Sequence, residues 1–485
     1  MKEAVVLYTA PGAGHLAPMV SLAKLFQKNG FSATVVTFNH PLRPGKADQD
    51  VSSLSSANPS ISFHVLPQIT RGEDYANLEP TLVMRSILQA QNMNLQNYIT
   101  GLSKTSSVRA IMLDLFCTVA LDVARQLSIP TYFFTQFGAS ALAFFLSLLE
   151  FDTSCALSLK DYGNNPINFP GLPPVLASDC PTFLLDRKLN SYKSFIPNIL
   201  SLVKSDGILM NTFESLEPKA ISALREGLCV PSFNMPPVYS IGPLLTETGE
   251  KETEERHECL KWLDLQPKGT VVFLCFGSMG GFSLDQIKQI AIGLENSGQR
   301  FLWVVKVNVN IDPRKVFSTS IPDFELDQIL PEGFLDRTKD RGMVVKTWVP
   351  QIQVLHHESV GGFVTHCGWN SILEAVTAGK PMVCWPRYAE QRLNKAFLVD
   401  HDTGLGVAME GYDRDLVEAE EVQAKVRWLI GEGSDFLKER INAMKDKAGE
   451  SLTEAGPSSQ VFVEFLMDLE RQKLIKTNIQ GNVFV

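Results

Sequence analysis

The 485-residue chain has no run of 18 or more apolar residues, so no segment reads as a membrane-spanning helix. Its longest apolar candidate, IPTYFFTQFGASALAFFLSLLEF, is interrupted by Gln136 and Gly138 and reads as a strand followed by a buried helix. No Cys-x-x-Cys pair occurs. The eight cysteines (117, 155, 180, 229, 259, 275, 367 and 384) are scattered singly, several inside apolar stretches such as VVFLCFGS and MVCWP. That distribution fits buried reduced thiols better than a disulfide framework. Basic residues are in deficit, 44 Lys and Arg against 53 Asp and Glu. A net charge of −9 weighs against nucleic acid or an anionic membrane as partner. The N-terminal MKEAVVLYTAPG holds too short an apolar run for a signal h-region, and it breaks at Pro-Gly. The expectation is a cytoplasmic protein.

What the chain does have is alternation. AVVLYT, FSATVVTF, ISFHVL, RAIMLDLF, PTYFFT and GILMNT read as strands, with helical periods over 16–29, 80–102, 118–127, 138–150 and 191–204. The pattern restarts with TVVFLCFGS, FLWVVKV, GMVVKTWV, VGGFVTHC and PMVCWP, separated by helices near 284–297, 351–357, 370–378 and 389–400. Alternation of this kind implies parallel sheets covered on both faces. The length exceeds what one core sustains. The resulting expectation is α/β, two doubly wound Rossmann-like domains facing each other across a cleft. The first spans 1–245, a charged linker 246–258, the second 259–460, and a last helix near 456–474 with a polar, poorly ordered tail packs back on the first domain through 461–485. Residues 152–190, with five prolines, read as a long loop in the first domain, and 307–334 as a second irregular excursion.

Two stretches carry candidate chemistry. TAPGAGHLAPMVSLAKLF (9–26) sets His15 between a glycine turn and an amphipathic helix. The spacing Gly12-x-Gly14-x-x-Ala17 allows a dinucleotide cradle, but the second strand ends TVVTFNHP without the acid that would bind ribose hydroxyls. The other reading makes His15 a base at the mouth of a sheet. In the second half, FVTHCGWNSILEAV reads as strand, tight turn and helix, with Gly368 letting the backbone approach a ligand. Trp369, Asn370 and Ser371 open that helix, where unpaired N–H groups and the dipole favour a phosphate. His366 adds a donor and Ser278, at an equivalent strand end, a hydroxyl. This anion site has neither a lysine nor a metal.

The 44 residues from Trp348 to Gln391, WVPQIQVLHHESVGGFVTHCGWNSILEAVTAGKPMVCWPRYAEQ, resemble nearly position for position the signature box of plant family 1 UDP-sugar-dependent glycosyltransferases. PGAGHLAPM, LDLF, FGSMG, NTFESLEPKA and YSIGPL extend the likeness over most of the chain, nearest to flavonoid and phenolic glucosyltransferases. The resemblance implies the GT-B architecture and transfer of a hexose, glucose first, from a UDP-sugar to a phenolic acceptor. It further implies that Trp348 stacks on uracil, the Val349 backbone bonds its edge, and Gln351 and Glu374 hold the ribose. Ser278, His366, Asn370 and Ser371 take the phosphates. Trp369, Glu390 and Gln391 hold the sugar, with Thr135 reaching it from the other domain. His15 then serves as general base, its pKa near 6.5 suiting neutral pH. Asp114 fixes its tautomer. Attack opposite the diphosphate inverts the anomeric centre. The implied partners are the two small-molecule substrates, bound by a monomer with no metal.

Departures and alternatives remain. FFTQFGAS is one residue longer than the family's FFTSGAS after Thr135. WPRYAEQ places Arg387 three residues before Glu390, at the surface or facing an anionic sugar such as glucuronate. His356-His357 reads as surface or capping, and Asp413-Arg414-Asp415 as a chance imitation of a metal motif. C-glycosylation uses the same base and donor site. An NAD(P)-dependent oxidoreductase and a non-catalytic small-molecule binder are the readings from other classes.

Overall fold

The structure is a computed structural model that describes residues 1–41, 43–69, 80–246, 256–277, 280–307 and 324–481. Most of the expected linker (247–255), the centre of the second irregular region (308–323) and Ser278 lie outside the described residues. Among the described residues, no helix is long and apolar enough to cross a membrane. All eight cysteines are free thiols, seven of them buried.

Two all-parallel sheets organise the chain. The first holds β1 (Lys2–Tyr8), β2 (Ser32–Phe38), β3 (Ser62–Leu66), β4 (Ser106–Asp114), β5 (Thr131–Thr135), β6 (Gly207–Met210) and β7 (Val238–Ser240) in the order β3-β2-β1-β4-β5-β6-β7. The second holds β8 (Val271–Cys275), β9 (Arg300–Val304), β10 (Gly342–Val345), β11 (Val360–Thr365), β12 (Met382–Cys384) and β13 (Gly406–Ala408) in the order β10-β9-β8-β11-β12-β13. The central strands are unbroken apolar runs because helices bury both faces; Val5–Tyr8 and Val271–Leu274 are wholly inaccessible. In each sheet the chain adds strands outward on one side, then jumps back to the other side of its first strand. The switch points fall between β1 and β4 and between β8 and β11, where crevices open beyond the strand ends.

Register fixes what meets there. Tyr8 pairs with Leu113, which sets Thr9 beside Asp114, and Cys275 pairs with Thr365, which sets the next turn beside His366.

Several elements depart from the expected pattern. A helix over Lys46–Ala57 buries only Ala47, so it lacks the apolar stripe by which a helix is recognised. β7 and β13 have three residues each, too few for periodicity. The helices Ala419–Ile430 and Asp435–Ser451 lie beyond the strand–helix alternation. The last helix runs Pro457–Gly481, past the expected end at 474. Its Phe462, Phe465 and Leu469 join the core of the first sheet with Val5, Leu7 and Phe26. Phe465 meets Phe26, Tyr132 and Tyr239 edge-on at 6.0, 5.0 and 5.3 Å. Truncation to Ala at this enclosed site should cost about 3–5 kcal/mol. Urea unfolding of Phe465→Ala against wild type measures it, and a loss under about 1 kcal/mol would contradict the packing described.

Candidate active site

At the first switch point Gly12 takes φ 120° and caps the helix Ala13–Lys28, a backbone conformation that favours glycine. The turn delivers His15, a third of whose side chain is exposed, against buried Asp114. Nδ1 of His15 lies 2.7 Å from Oδ2 of Asp114. The same carboxylate accepts from the Thr9 hydroxyl at 2.9 Å and the Phe116 amide at 2.9 Å. Burial pulls the imidazole's pKa down, but the charge and hydrogen bond of Asp114, helped by Glu390 from the second lobe, raise it above the ordinary 6.5. Burial likewise works to raise Asp114, and its partners, His15 first, hold it below the usual carboxylate range. With Nδ1 engaged, Nε2 is the atom on the far side of the ring, and an imidazole so backed can take a proton there.

At the second switch point His366 is 7% exposed, set among glycines. Cβ atoms at Gly277 and Gly368 would fall 2.6 and 2.5 Å from its Nε2. Gly368 therefore makes room for the ring, a constraint beyond the ligand approach inferred from sequence. Burial and the nearby Lys306 push His366 down to about 4, so it is neutral at physiological pH. Cys367 adopts φ 63°, a left-handed conformation rare for a side chain of that kind. The helix Trp369–Ala378 begins at once, with no side-chain cap on its first turn; the first N–H groups of a helix have no partner within it. Gln351 Nε2 donates to Ser371 Oγ at 2.7 Å and to Glu374 Oε2 at 2.6 Å, gathering three of the sequence candidates. Burial lifts Glu374 to about 7 against that hydrogen bond. Trp348 leaves 60% of its surface open while Val349 is buried.

The lobes meet through specific contacts. The Trp369 indole is enclosed and its Nε1 donates to the Asn211 carbonyl at 2.8 Å. Its indole N–H is thereby committed to the other lobe. Gly138 is required beside it, since a Cβ there would come within 2.7 Å of both the indole and Glu217. Lys395 and Asp179, both buried, pair at 2.7 Å, and the Tyr412 hydroxyl donates to Asp179 at 2.8 Å.

Other candidates occupy varied settings. Thr135 is 1% exposed and its hydroxyl donates to the Phe137 carbonyl. Gln391 is buried, its Oε1 accepting from the Arg387 and Tyr388 amides. Ala389 has φ 53°, and half-buried Glu390 follows it. Arg387 is half-buried, not at the surface. Its guanidinium lies 4.0 Å from the Phe282 ring centre and donates to the Gly281 carbonyl. His356 bonds Ile352, His357 bonds Ser359 and Asp264, and residues 413–415 are exposed. Among the described residues, no group of three or more His, Cys, Asp or Glu could hold a metal.

Sequence reasoning missed Phe116, which stands edge-on to His15 at 5.1 Å with 45% of its surface exposed. It also missed Gln136, whose amide donates to the His15 carbonyl at 3.0 Å. The extra residue in FFTQFGAS was the one available signal. Lys306 and Asn211 left none.

A profile for "UDP-glucoronosyl and UDP-glucosyl transferase" matches residues 88–422. The anthocyanidin 5,3-O-glucosyltransferase of a Rosa hybrid cultivar is 42% identical over 485 residues, covering 97% of this chain and 99% of the relative. The phloretin 2'-O-glucosyltransferase of Malus domestica is 42% identical over 484 residues, covering 97% and 100%. Among solved structures, Phytolacca americana UGT2 complexed with UDP-2fluoro-glucose and pterostilbene superposes with a TM-score of 0.82 at 33% identity, over 96% of this chain and 100% of that one.

The geometry at His15 makes a direct prediction. In Asp114→Asn the charge that holds the imidazole up is gone and burial dominates, so the His15 pKa should drop below 6.5. An NMR titration of the His15 ring reads the shift; a value that stays elevated would show that Asp114 is not its cause.

Proposed function

The chain belongs to the UDP-glucuronosyl and UDP-glucosyl transferase family, and from that premise we propose that it moves glucose from UDP-glucose to a hydroxyl of a phenolic, flavonoid-like acceptor, inverting the anomeric centre. The observation that carries the reading is the 2.7 Å His15–Asp114 pair at one switch point, facing an uncapped helix start at the other. The named relatives act on anthocyanidin and phloretin, both phenols. The setting we propose is the cytoplasm, a reading that draws on the reduced cysteines.

In the proposed reaction His15 takes the phenol proton at Nε2 as the oxygen attacks the anomeric carbon. Asp114, already ionised, stabilises the imidazolium. Its tautomer-fixing role follows from the bond to Nδ1. The glycosidic C–O bond breaks on the opposite face, and the electron pair leaves with UDP. The departing diphosphate is met by the first-turn N–H groups of Asn370 and Ser371 and by His366, with Ser278 proposed as a further donor and no metal in the scheme. Gly368 keeps that turn open. Trp348 offers its exposed face to uracil, the Val349 backbone borders the base, and Gln351 and Glu374 bind the ribose. Glu390 and Gln391, with the Trp369 backbone, orient the glucose hydroxyls. The Arg387 guanidinium is occupied by Phe282 and the Gly281 carbonyl, which favours a neutral hexose over glucuronate.

Three outcomes are expected. With UDP-glucose and a panel of phenols followed by mass spectrometry, His15→Ala should lose about 10²–10⁴-fold in rate; undiminished turnover would remove His15 as base. Because only the neutral imidazole accepts a proton, kcat/KM should rise with pH through a midpoint above 6.5 and then level off. A pH–rate profile with its acid limb well below 6.5 would contradict this. Trp348→Ala should weaken UDP binding by about 1–3 kcal/mol, the usual worth of one base stack, as calorimetry would register.

A further inference from the structure

We propose that Lys306 supplies the fixed positive charge of the diphosphate subsite, acting on the phosphates across the Gly277 turn. The inference rests on the nucleotide-site reading above and adds to it a residue for which the signature box has no place. Lys306 follows the end of β9 by two residues, and β9 runs parallel beside β8, so its side chain emerges at the end of the sheet where Gly277 and His366 lie. Its Nζ donates to the Gly277 carbonyl at 2.8 Å. The same turn borders the imidazole, since a Cβ built on Gly277 would fall 2.6 Å from His366 Nε2. Ammonium and imidazole therefore border one turn. Nε2 is the nitrogen of His366 that faces the turn, with Gly277 and Gly368 both leaving it room.

The chemistry calls for such a charge. A UDP leaving group gathers negative charge as the sugar departs. A helix terminus answers with only about half an elementary charge. His366, held to about 4 by burial and by Lys306, offers a hydrogen bond but no net charge. Lys306, its own proton affinity lowered by burial, is the full cation in contact with this turn.

The test compares UDP with uridine, which share the base and ribose but differ in the diphosphate. Binding of each is measured to wild type, Lys306→Gln, Lys306→Met, Lys306→Arg and Trp348→Ala. Removing the charge should weaken UDP about tenfold and leave uridine unchanged, with Arg restoring UDP. Lys306→Met keeps the packing of the stem should the Gln variant fold poorly. The His366 ring should also titrate at a higher pH without the cation. Equal losses for UDP and uridine, or no loss for UDP, would overturn the role of Lys306. Unaltered binding of both ligands in Trp348→Ala would instead overturn the nucleotide-site reading itself, so the two failures are distinguishable.

Discussion

Both halves of the molecule depend on one topological constraint. Each sheet reverses the direction in which strands are added, and only at that reversal do successive connections leave on opposite faces and expose the strand ends. The β1/β4 reversal holds His15 and Asp114, which lie 99 residues apart in sequence and 2.7 Å apart in space. The β8/β11 reversal holds Gly277, His366 and the start of the helix Trp369–Ala378. A catalytic surface made this way needs the two openings to face each other. The Trp369–Asn211 bond and the buried Lys395–Asp179 pair provide that alignment, and the missing side chain at Gly138 lets the first lobe approach the indole closely enough.

The same residue type is driven in opposite directions at the two openings. His15 has a carboxylate behind it and a second across the cleft, and its affinity for a proton rises. His366 is enclosed, with an ammonium nearby, and its affinity falls. Neither outcome follows from histidine itself; both follow from what the register places next to the ring. The division matches the proposed chemistry, in which one imidazole must accept a proton and the other must stay neutral while donating a hydrogen bond. It also makes the GT-B arrangement economical, since two copies of one sheet plan serve opposite electrostatic ends.

Much of this was legible in the residues. Long apolar strands such as AVVLY and VVFLC announce a doubly covered parallel sheet, and WNS after a glycine announces the start of the helix Trp369–Ala378. The helix Lys46–Ala57 was not legible because it buries a single residue. Gln136, Asn211 and Lys306 share a different obstacle. Each matters through a partner 121, 158 or 29 residues away, and such pairings are fixed by register between distant segments. Arg387 shows the same limit, its cation set over Phe282, which lies 105 residues away in sequence.

The closing helix adds a constraint of timing. The first lobe is built almost wholly from residues before 246, yet Phe26, Tyr132 and Tyr239 are covered by Phe462 and Phe465. On the ribosome, that lobe must therefore wait with an aromatic patch open until more than 200 further residues have been made. The usual order in which an N-terminal domain completes itself first is denied to this chain. The core of the first lobe is finished by residues that follow the whole second sheet in the chain.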